Sequence, residues 1–474
     1  MHEPPLIVDL DGTLIQTDML HESVIRLLRN NPHLILALPF WLLKGKAFLK
    51  QKLASFVQID IKTLPFNYEL IAWLKLQRDC GRKLVLCTAS DSSIAEDIAA
   101  HLMLFDDVIS SNGVKNLSGK NKALILNEKY GYRCFDYVGN SMEDLFVWKD
   151  SREGVVVNGS ISLIAKAKTL TKIEYVFVCH NNTISSWIRA LRLHQWIKNL
   201  LIFIPIFAAH ELITPELWRN LLLAFLAFSL CASSVYITND LLDLESDRQH
   251  PRKRNRPFAS GQLPIWKGIV AAPLLIIGSL ECAGLVGGNF LLWLLFYFGL
   301  TCAYSWGLKR LVLVDCLILA ILYTLRIFAG AASVNVPLSF WLITFSIFLF
   351  LSLAFIKRYA ELKTHQDGDI KKVHGRGYFT SDDTLIEQLG VTSGYAATLV
   401  LALYLNSDNV VRLYKTPEII WGAIPIMLLW LSWMWLKAHR GVMHDDPIIF
   451  AIKDKVSIYI GLVFISIFIM ARIW

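Results

Sequence analysis

The chain carries little charge for its length and shows no motif that would pair its cysteines. Only 18% of its 474 residues are Asp, Glu, Lys or Arg, against 54% hydrophobic. That balance is oily for a soluble protein and points to a chain partly embedded in a membrane. None of the eight cysteines (Cys80, Cys87, Cys134, Cys179, Cys231, Cys282, Cys302, Cys316) forms a C-x-x-C pair, and several lie inside apolar runs. They read as reduced, buried thiols, which fits a cytoplasmic face and a membrane interior. The opening residues, MHEPPLIVDLDGT, lack the basic start and long apolar core of a signal peptide. A basic stripe is missing too. The formal charge is +8, but Lys and Arg come in short clusters between apolar segments. This argues against a nucleic-acid partner and leaves anionic lipid and phosphorylated ligands.

Two compositions follow one another. In residues 1–180 the apolar runs LIVDL (6–10), KLVLCTA (83–89), DVIS (107–110) and FDYVGN (135–140) alternate with helical stretches. The pattern predicts a parallel sheet with helices on both faces. Residues 17–80, between the first two strands, contain NPHLILALPFWLLKGKAFLKQKL (31–53), whose apolar run is too short to span a bilayer. They are expected to form a helical cap over the sheet's carboxyl edge. The apolar residues would be the cap's own core, with a lipid-facing surface as the other reading.

Residues 185–474 carry nine apolar segments, near 198–210, 217–238, 267–287, 289–308, 311–332, 338–356, 391–407, 418–437 and 456–472. Most are long enough to cross the hydrocarbon core; the first is short and must borrow from its flanks. Lys and Arg crowd the loops after the second, fourth, sixth and eighth segments, and the alternate loops are poor in them. Positive loops stay inside. The chain is therefore expected to be a multi-pass inner-membrane protein with its N-terminal domain in the cytoplasm.

VDLDGTL (8–14) places Asp9 and Asp11 just past a strand end, where alternate residues point the same way. That suits a nucleophilic aspartate with an acid/base beside it. The motif resembles the first motif of the haloacid-dehalogenase-like phosphatases. Their remaining motifs follow in order in LCTAS (86–90), GKNKAL (119–124) and VGNSMEDL (138–145). The resemblance implies a phosphate-binding Thr88, a charge-neutralising Lys122 in preference to Lys120, and a Mg²⁺ site of Asp9, Asp11, Asn140 and Asp144. Asn140 stands where that family has a carboxylate, which removes one charge from the metal site.

SVYITNDLLDLESDRQHPRKRNRPFASG (234–261) is the most informative stretch. Asp240, Asp243 and Asp247, spaced i, i+3, i+7, are expected on one helix face, where they would repel one another unless a cation sat between them. With Asn239 and the basic loop holding Lys253 and Arg256, they suit a Mg²⁺-diphosphate site. The pattern N-D-x-x-D-x-x-x-D followed by R-P-x-A-S-G resembles the first motif of the UbiA-type prenyltransferase superfamily, nine-helix enzymes of intramembrane prenyl transfer. LRLHQWIKNLLIF (191–203), with Arg192 and Lys198, is similar to that family's entry helix. AYSWGLKR (303–310), with Tyr304 and Lys309, is similar to its tyrosine-lysine motif.

The second aspartate-rich motif of the aromatic prenyltransferases is missing. In its place stands FIKRYAELKTHQDGDIKKVHGRGYF (355–379). This stretch, RGVMHDDPIIFAIKDKVS (440–457) and the span holding Asp315 and Arg326 resemble the decaprenyl-phosphate phosphoribosyltransferase branch. That branch implies phosphoribosyl diphosphate as donor and a polyprenyl phosphate in the bilayer as acceptor. Lys357, Arg358 and Arg376 would bind phosphates, Tyr359 and Glu361 ribose hydroxyls. Asp445 and Asp446 read equally as helix caps.

The expected fold is thus multidomain: an α/β haloacid-dehalogenase-like domain with a helical cap, then an all-α, nine-helix transmembrane UbiA-like bundle, with a homo-oligomer left open. The fused phosphatase would remove the 5-phosphate from the transferred ribose. Two other readings stand beside this one: a prenyltransferase using prenyl diphosphate and an aromatic acceptor, and a non-enzymatic lipid-binding or transport module with a regulatory soluble domain.

Overall fold

The computed structural model describes residues 3–113, 116–178, 183–209, 215–363, 377–411, 414–443 and 446–474. Six strands, β1 (Leu6–Val8), β2 (Leu84–Asp91), β3 (Asp107–Ser111), β4 (Asp136–Gly139), β5 (Glu153–Val157) and β6 (Lys172–Phe177), form one sheet in the order β3-β2-β1-β4-β5-β6. Every pairing is parallel. The last two strands were not anticipated. EGVVV and KIEYVF fall outside the four runs the sequence marks as strands, although Asn158 and Gly159 place a turn after EGVVV.

Period-two alternation builds a core on each face of the sheet. Leu6 and Val8 pack with Leu84, Leu86 and Val138 on one side, while Ile7 packs with Val85, Cys87 and Tyr137 on the other. Each large apolar side chain buried this way contributes on the order of 1.5–3 kcal/mol over leaving it in water.

The helices of this domain are α1 (Met19–Asn30), α2 (Leu38–Leu43), α3 (Lys46–Phe56), α4 (Tyr68–Asp79), α5 (Ser92–Leu102), α6 (Lys120–Tyr130), α7 (Leu145–Trp148) and α8 (Ile161–Leu170). The cap consists of α1 to α3, around Leu27, Leu49, Leu53 and Val57. It is shorter than the expected 17–80, because α4 lays Leu70, Ile71 and Leu74 into the sheet's own core.

The remaining helices are α9 (Thr183–Ala190), α10 (Ile204–Ala209), α11 (Pro215–Leu242), α12 (Leu244–Gln249), α13 (Ile265–Val286), α14 (Gly288–Trp306), α15 (Val314–Val334), α16 (Phe340–Lys363), α17 (Asp383–Leu405), α18 (Asp408–Val411), α19 (Ala423–His439), α20 (Pro447–Lys453) and α21 (Lys455–Ile473). Among the described residues, eight helices are long and apolar enough to cross a membrane: α11, α13 to α17, α19 and α21. The first of the nine expected segments is instead a 3-10 stretch, Leu193–Phe203, running into the short α10.

The chain divides into two compact units that do not follow its order. One is Met1–Leu191 with Tyr236–Ala272; the other is Arg192–Val235 with Pro273–Trp474. The expected boundary at 180–185 omits the aspartate-rich segment from the first unit. That segment belongs there because α1 grips it. Glu22 pairs with Arg248, Arg26 with Glu245, and Arg29 donates to the Leu242 carbonyl. Gly261, at φ +76, lies so close to Gln16 that a Cβ would meet its backbone oxygen at 2.6 Å. Only glycine fits there.

Candidate active sites

The parallel register pairs Val8 with Leu86, so the ends of β1 and β2 lie side by side. Asp9 and Asp11 leave β1 beside Thr88 and Ser90. Asp11 accepts the Ser90 hydroxyl at 2.8 Å and the Met19 amide, which opens α1, at 2.8 Å. Buried Thr88 accepts the Ser90 amide at 3.0 Å. Lys122, in the first turn of α6, donates to Asp9 at 2.7 Å and to the Tyr137 hydroxyl at 3.0 Å. Lys120 lies over the Phe146 ring instead. Gly12 turns the chain at φ +75, and a side chain there would run into the Asn140 amide.

Asp144 is held by hydrogen bonds from its neighbours. One oxygen accepts Tyr137 at 2.6 Å; the other accepts the Asn140 amide at 3.0 Å and the Ser141 amide and hydroxyl at 2.8 Å each. It organises the loop that carries Asn140. Tyr137 and Ser90 escaped the sequence reading. The available signal was their position, flanking recognised motif residues on the same strand ends.

Burial pushes the Asp9 carboxyl up to about 7, with Asp144 and Asp11 adding to the effect and Lys122 opposing it. Asp11 rises to about 6, again mainly through burial and then Asp18, against the Met19 amide, Ser90 and Lys50. Lys122 rises despite burial, because Asp9 and Asp144 hold its proton. Buried Asp9 and Asp144 share one ammonium, Lys122, with half-buried Asp11 beside Asp9, so the donor set carries excess negative charge and fits a divalent cation.

The second constellation starts where α11 ends. The three aspartates do not share one helix face. The helix breaks at Asp243, whose φ of −100 and ψ of 14 separate α11 from α12. Asp240 and Asp247, each 2% exposed, converge on Arg256 at 3.0 and 2.6 Å. Asp243 instead lies 4.0 Å from Arg29 of the cap. Burial raises the Asp247 pKa, Arg256 opposes this, and Asp240 adds to it. Two buried carboxylates against one guanidinium again leave a negative charge for a cation. Asn239 is half-buried on the same turn of α11, and Lys253 is exposed in the loop. Among the described residues, no group of three His, Cys, Asp or Glu side chains could hold a metal ion alone. An ion in either site would therefore take part of its shell from water and substrate oxygens, as Mg²⁺ commonly does.

The other unit holds a third cluster, centred on Asp446; Asp445 lies outside the described residues. Asp446 does cap α20, through the Ile448 amide at 3.3 Å. It also accepts Lys198 at 2.7 Å and Tyr323 at 2.9 Å, and faces Lys357 at 3.6 Å. Burial would raise its pKa, but Lys198 and Lys357 hold it well below the ordinary carboxylate range. Arg326 joins through Asn199 at 2.8 Å and Tyr297 at 3.1 Å, with its guanidinium over the Tyr297 and Tyr323 rings.

Arg358 and Glu361, expected on ligand, are paired with each other. Arg358 also meets Asp315, which accepts the Tyr378 hydroxyl at 2.6 Å. Unpaired charges would be costly inside a span, and here both carboxylates meet the one guanidinium. Tyr359 bonds His439 at 3.0 Å. Tyr304 and Lys309 are half-buried at the end of α14 and in the turn after it. Arg192, at φ 52, precedes the 3-10 stretch. Arg376 lies outside the described residues.

A profile of the UbiA prenyltransferase family matches residues 200–451, more than half of the chain. The chain belongs to the UbiA prenyltransferase family. An uncharacterized protein of Sinorhizobium fredii, y4nM, is 36% identical over 470 residues, 98% of this chain and 91% of its own length. Nodulation protein NoeC of Azorhizobium caulinodans is 34% identical over 290 residues, covering 59% of this chain and 93% of NoeC. A decaprenyl-phosphate phosphoribosyltransferase of Mycobacterium tuberculosis is 35% identical over 187 residues, 38% of this chain and 61% of that enzyme. This UbiA family member carries a parallel α/β domain at its N-terminus and is a multi-pass inner-membrane protein.

Proposed function

We propose that the membrane half moves phosphoribose from phosphoribosyl diphosphate to a polyprenyl phosphate, and that the N-terminal domain removes the 5-phosphate of the product. The observation that carries the transfer is the likeness to the mycobacterial phosphoribosyltransferase, which spans 61% of that enzyme. The buried Asp240–Arg256–Asp247 set supports a divalent cation bound with a diphosphate, and the Lys198–Asp446–Lys357 set supports anion binding.

In this reading a phosphate oxygen of the acceptor attacks C1 of the ribose. The bond from C1 to the diphosphate oxygen breaks, and the diphosphate leaves with the electron pair. Asp240 and Asp247, with Asp243 and Asn239 beside them in the chain, would hold Mg²⁺, which would neutralise charge growing on the leaving group. Arg256 and Lys253 would add positive charge. Lys198, Lys357 and Arg326 suit a phosphate. Arg192, Tyr304, Lys309 and Tyr359 are the further candidates for holding substrate, as is Arg376. The pairing of Arg358 with Asp315 and Glu361 makes these three a positioning set.

In the phosphatase, Asp9 would attack phosphorus while Asp11 protonates the departing ester oxygen. Water deprotonated by Asp11 would then release the phosphate from Asp9. Lys122 and Thr88 would hold the phosphoryl oxygens, and Asp9, Asp11 and Asn140 a Mg²⁺.

The test is to incubate the purified protein with phosphoribosyl diphosphate, polyprenyl phosphate and Mg²⁺ and to weigh the lipid product by mass spectrometry. Lipid-linked ribose is expected from the wild type and lipid-linked ribose 5-phosphate from Asp9→Asn. No ribosylated lipid at all would refute the transfer. Equal retention of the phosphate by both proteins would refute the coupling.

A further inference from the structure

Pro32–Leu43 of the cap reads PHLILALPFWLL, and none of its residues is buried. The segment has two faces. Leu34, Leu38 and Trp41 pack onto the cap core, where Trp41 stacks on Phe56 with ring centroids 5.6 Å apart. Leu36, Phe40 and Leu43, spaced i, i+4, i+7, are 74%, 68% and 85% exposed, with Ile35 and Leu42 beside them. That spacing gathers them on one side of a helical segment. Soluble surfaces seldom leave a contiguous apolar patch of this kind in water. Lys44 and Lys46 follow at once, both exposed. An apolar face edged by lysines has the chemistry of a segment lying in a lipid interface.

The place of the segment in the fold agrees with that chemistry. Arg29, in the last turn of α1, donates to the carbonyl of Leu242 at 3.1 Å. Leu242 is the last residue of the membrane-crossing α11. Pro32 follows Arg29 by three residues, so the apolar segment starts beside the point where a span ends. Neither proposed chemistry uses it.

We propose that the outer face of Pro32–Leu43 lies in the cytoplasmic leaflet, with Leu36, Phe40 and Leu43 among acyl chains and Lys44 and Lys46 at anionic headgroups. This takes up the lipid-facing reading that the sequence left beside the cap-core one. Read together with the phosphatase proposal, on which it does not depend, it lets the cap admit a phosphomonoester carried by a membrane lipid.

The experiment places the photo-crosslinking residue p-benzoylphenylalanine at position 36 or 43 of the full chain, reconstituted into vesicles of phosphatidylethanolamine and phosphatidylglycerol. Tyr132, 61% exposed on the loop after α6, is the control position. These side chains are exposed, so folding is preserved, and monodisperse protein confirms it. Lipid adducts at 36 and 43 are expected in excess of the control on the order of tenfold. Lys44→Glu with Lys46→Glu should lower the yield at 43 in phosphatidylglycerol vesicles. Lipid adducts no more frequent than at 132 overturn the proposal. So do adducts formed instead with a second copy or with another part of this chain.

Discussion

Arg248 meets Glu22 with both terminal nitrogens, at 2.5 and 3.3 Å, and its Nε donates to the Ala259 carbonyl at 2.9 Å. Glu22 also accepts the Thr17 hydroxyl at 2.8 Å, and the Thr17 carbonyl accepts the Gly12 amide at 3.1 Å. An unbroken run of hydrogen bonds thus joins the loop carrying Asp11 to the loop carrying Arg256. Arg248 and Glu22 are 7% and 8% exposed in their side chains.

Removing one partner of so buried a pair leaves the other uncompensated, at a cost of about 3–5 kcal/mol. Glu22→Gln should therefore lower the melting temperature of the detergent-solubilised protein. A double-mutant cycle with Arg248→Met should return a coupling on the order of 1–3 kcal/mol. Additive losses would mean that the two side chains act independently.

The break at Asp243 makes the three aspartates unequal. Asp240 and Asp247 share Arg256, whereas Asp243 lies 4.0 Å from Arg29. Asp240→Asn and Asp247→Asn should each cost transfer on the order of 10²-fold or more, the scale of losing one charge-stabilising group at a reacting centre. Asp243→Asn should cost clearly less. Steady-state rates with phosphoribosyl diphosphate at saturating Mg²⁺ compare them; equal losses for all three would restore the single-face picture.

The parts of this protein that rest on local pattern were legible in its sequence. The strand after MHEPP, the D-x-D-G-T turn, the eight long spans and the N-D-x-x-D segment all follow from periodicity, turn chemistry and span length. What stayed hidden depends on long-range pairing. Nothing near Arg248 announces Glu22, and the i, i+3, i+7 spacing assumes a helix that the chain interrupts at Asp243. Asp446 looked like a cap because the segment around it is a helix start. Its two lysines come from elements far away in sequence. The apolar cap segment reads as core or as a lipid-facing surface, because composition alone does not say which face is covered.

Asp9 should be separable from transfer. Asp9→Asn removes the proposed nucleophile and leaves Lys122 facing a neutral amide, so hydrolysis of a soluble phosphomonoester should fall by at least about 10³-fold. Formation of ribosylated lipid should stay within about twofold of wild type, because sites with no shared partner act additively. A matching fall in transfer would show the two chemistries to be coupled through more than proximity.

Asp446 holds Lys198 and Lys357 together in a confined space, and Asp446→Asn tests that role cleanly. Asparagine keeps the cap on α20, because its side-chain oxygen still accepts from the Ile448 amide. What disappears is the negative charge. Lys198, 9% exposed, then loses its charged partner, while Lys357, 30% exposed, keeps only Glu361 nearby. The variant should be less stable by about 3–5 kcal/mol. A phosphate can return the missing charge, so an anionic ligand should stabilise the variant more than the wild type. Thermal melts with and without polyprenyl phosphate measure both effects. Lys198→Met should reverse the second one, since it removes positive charge and leaves less for a phosphate to bind. A ligand-induced shift equal in wild type, Asp446→Asn and Lys198→Met would place the phosphate elsewhere.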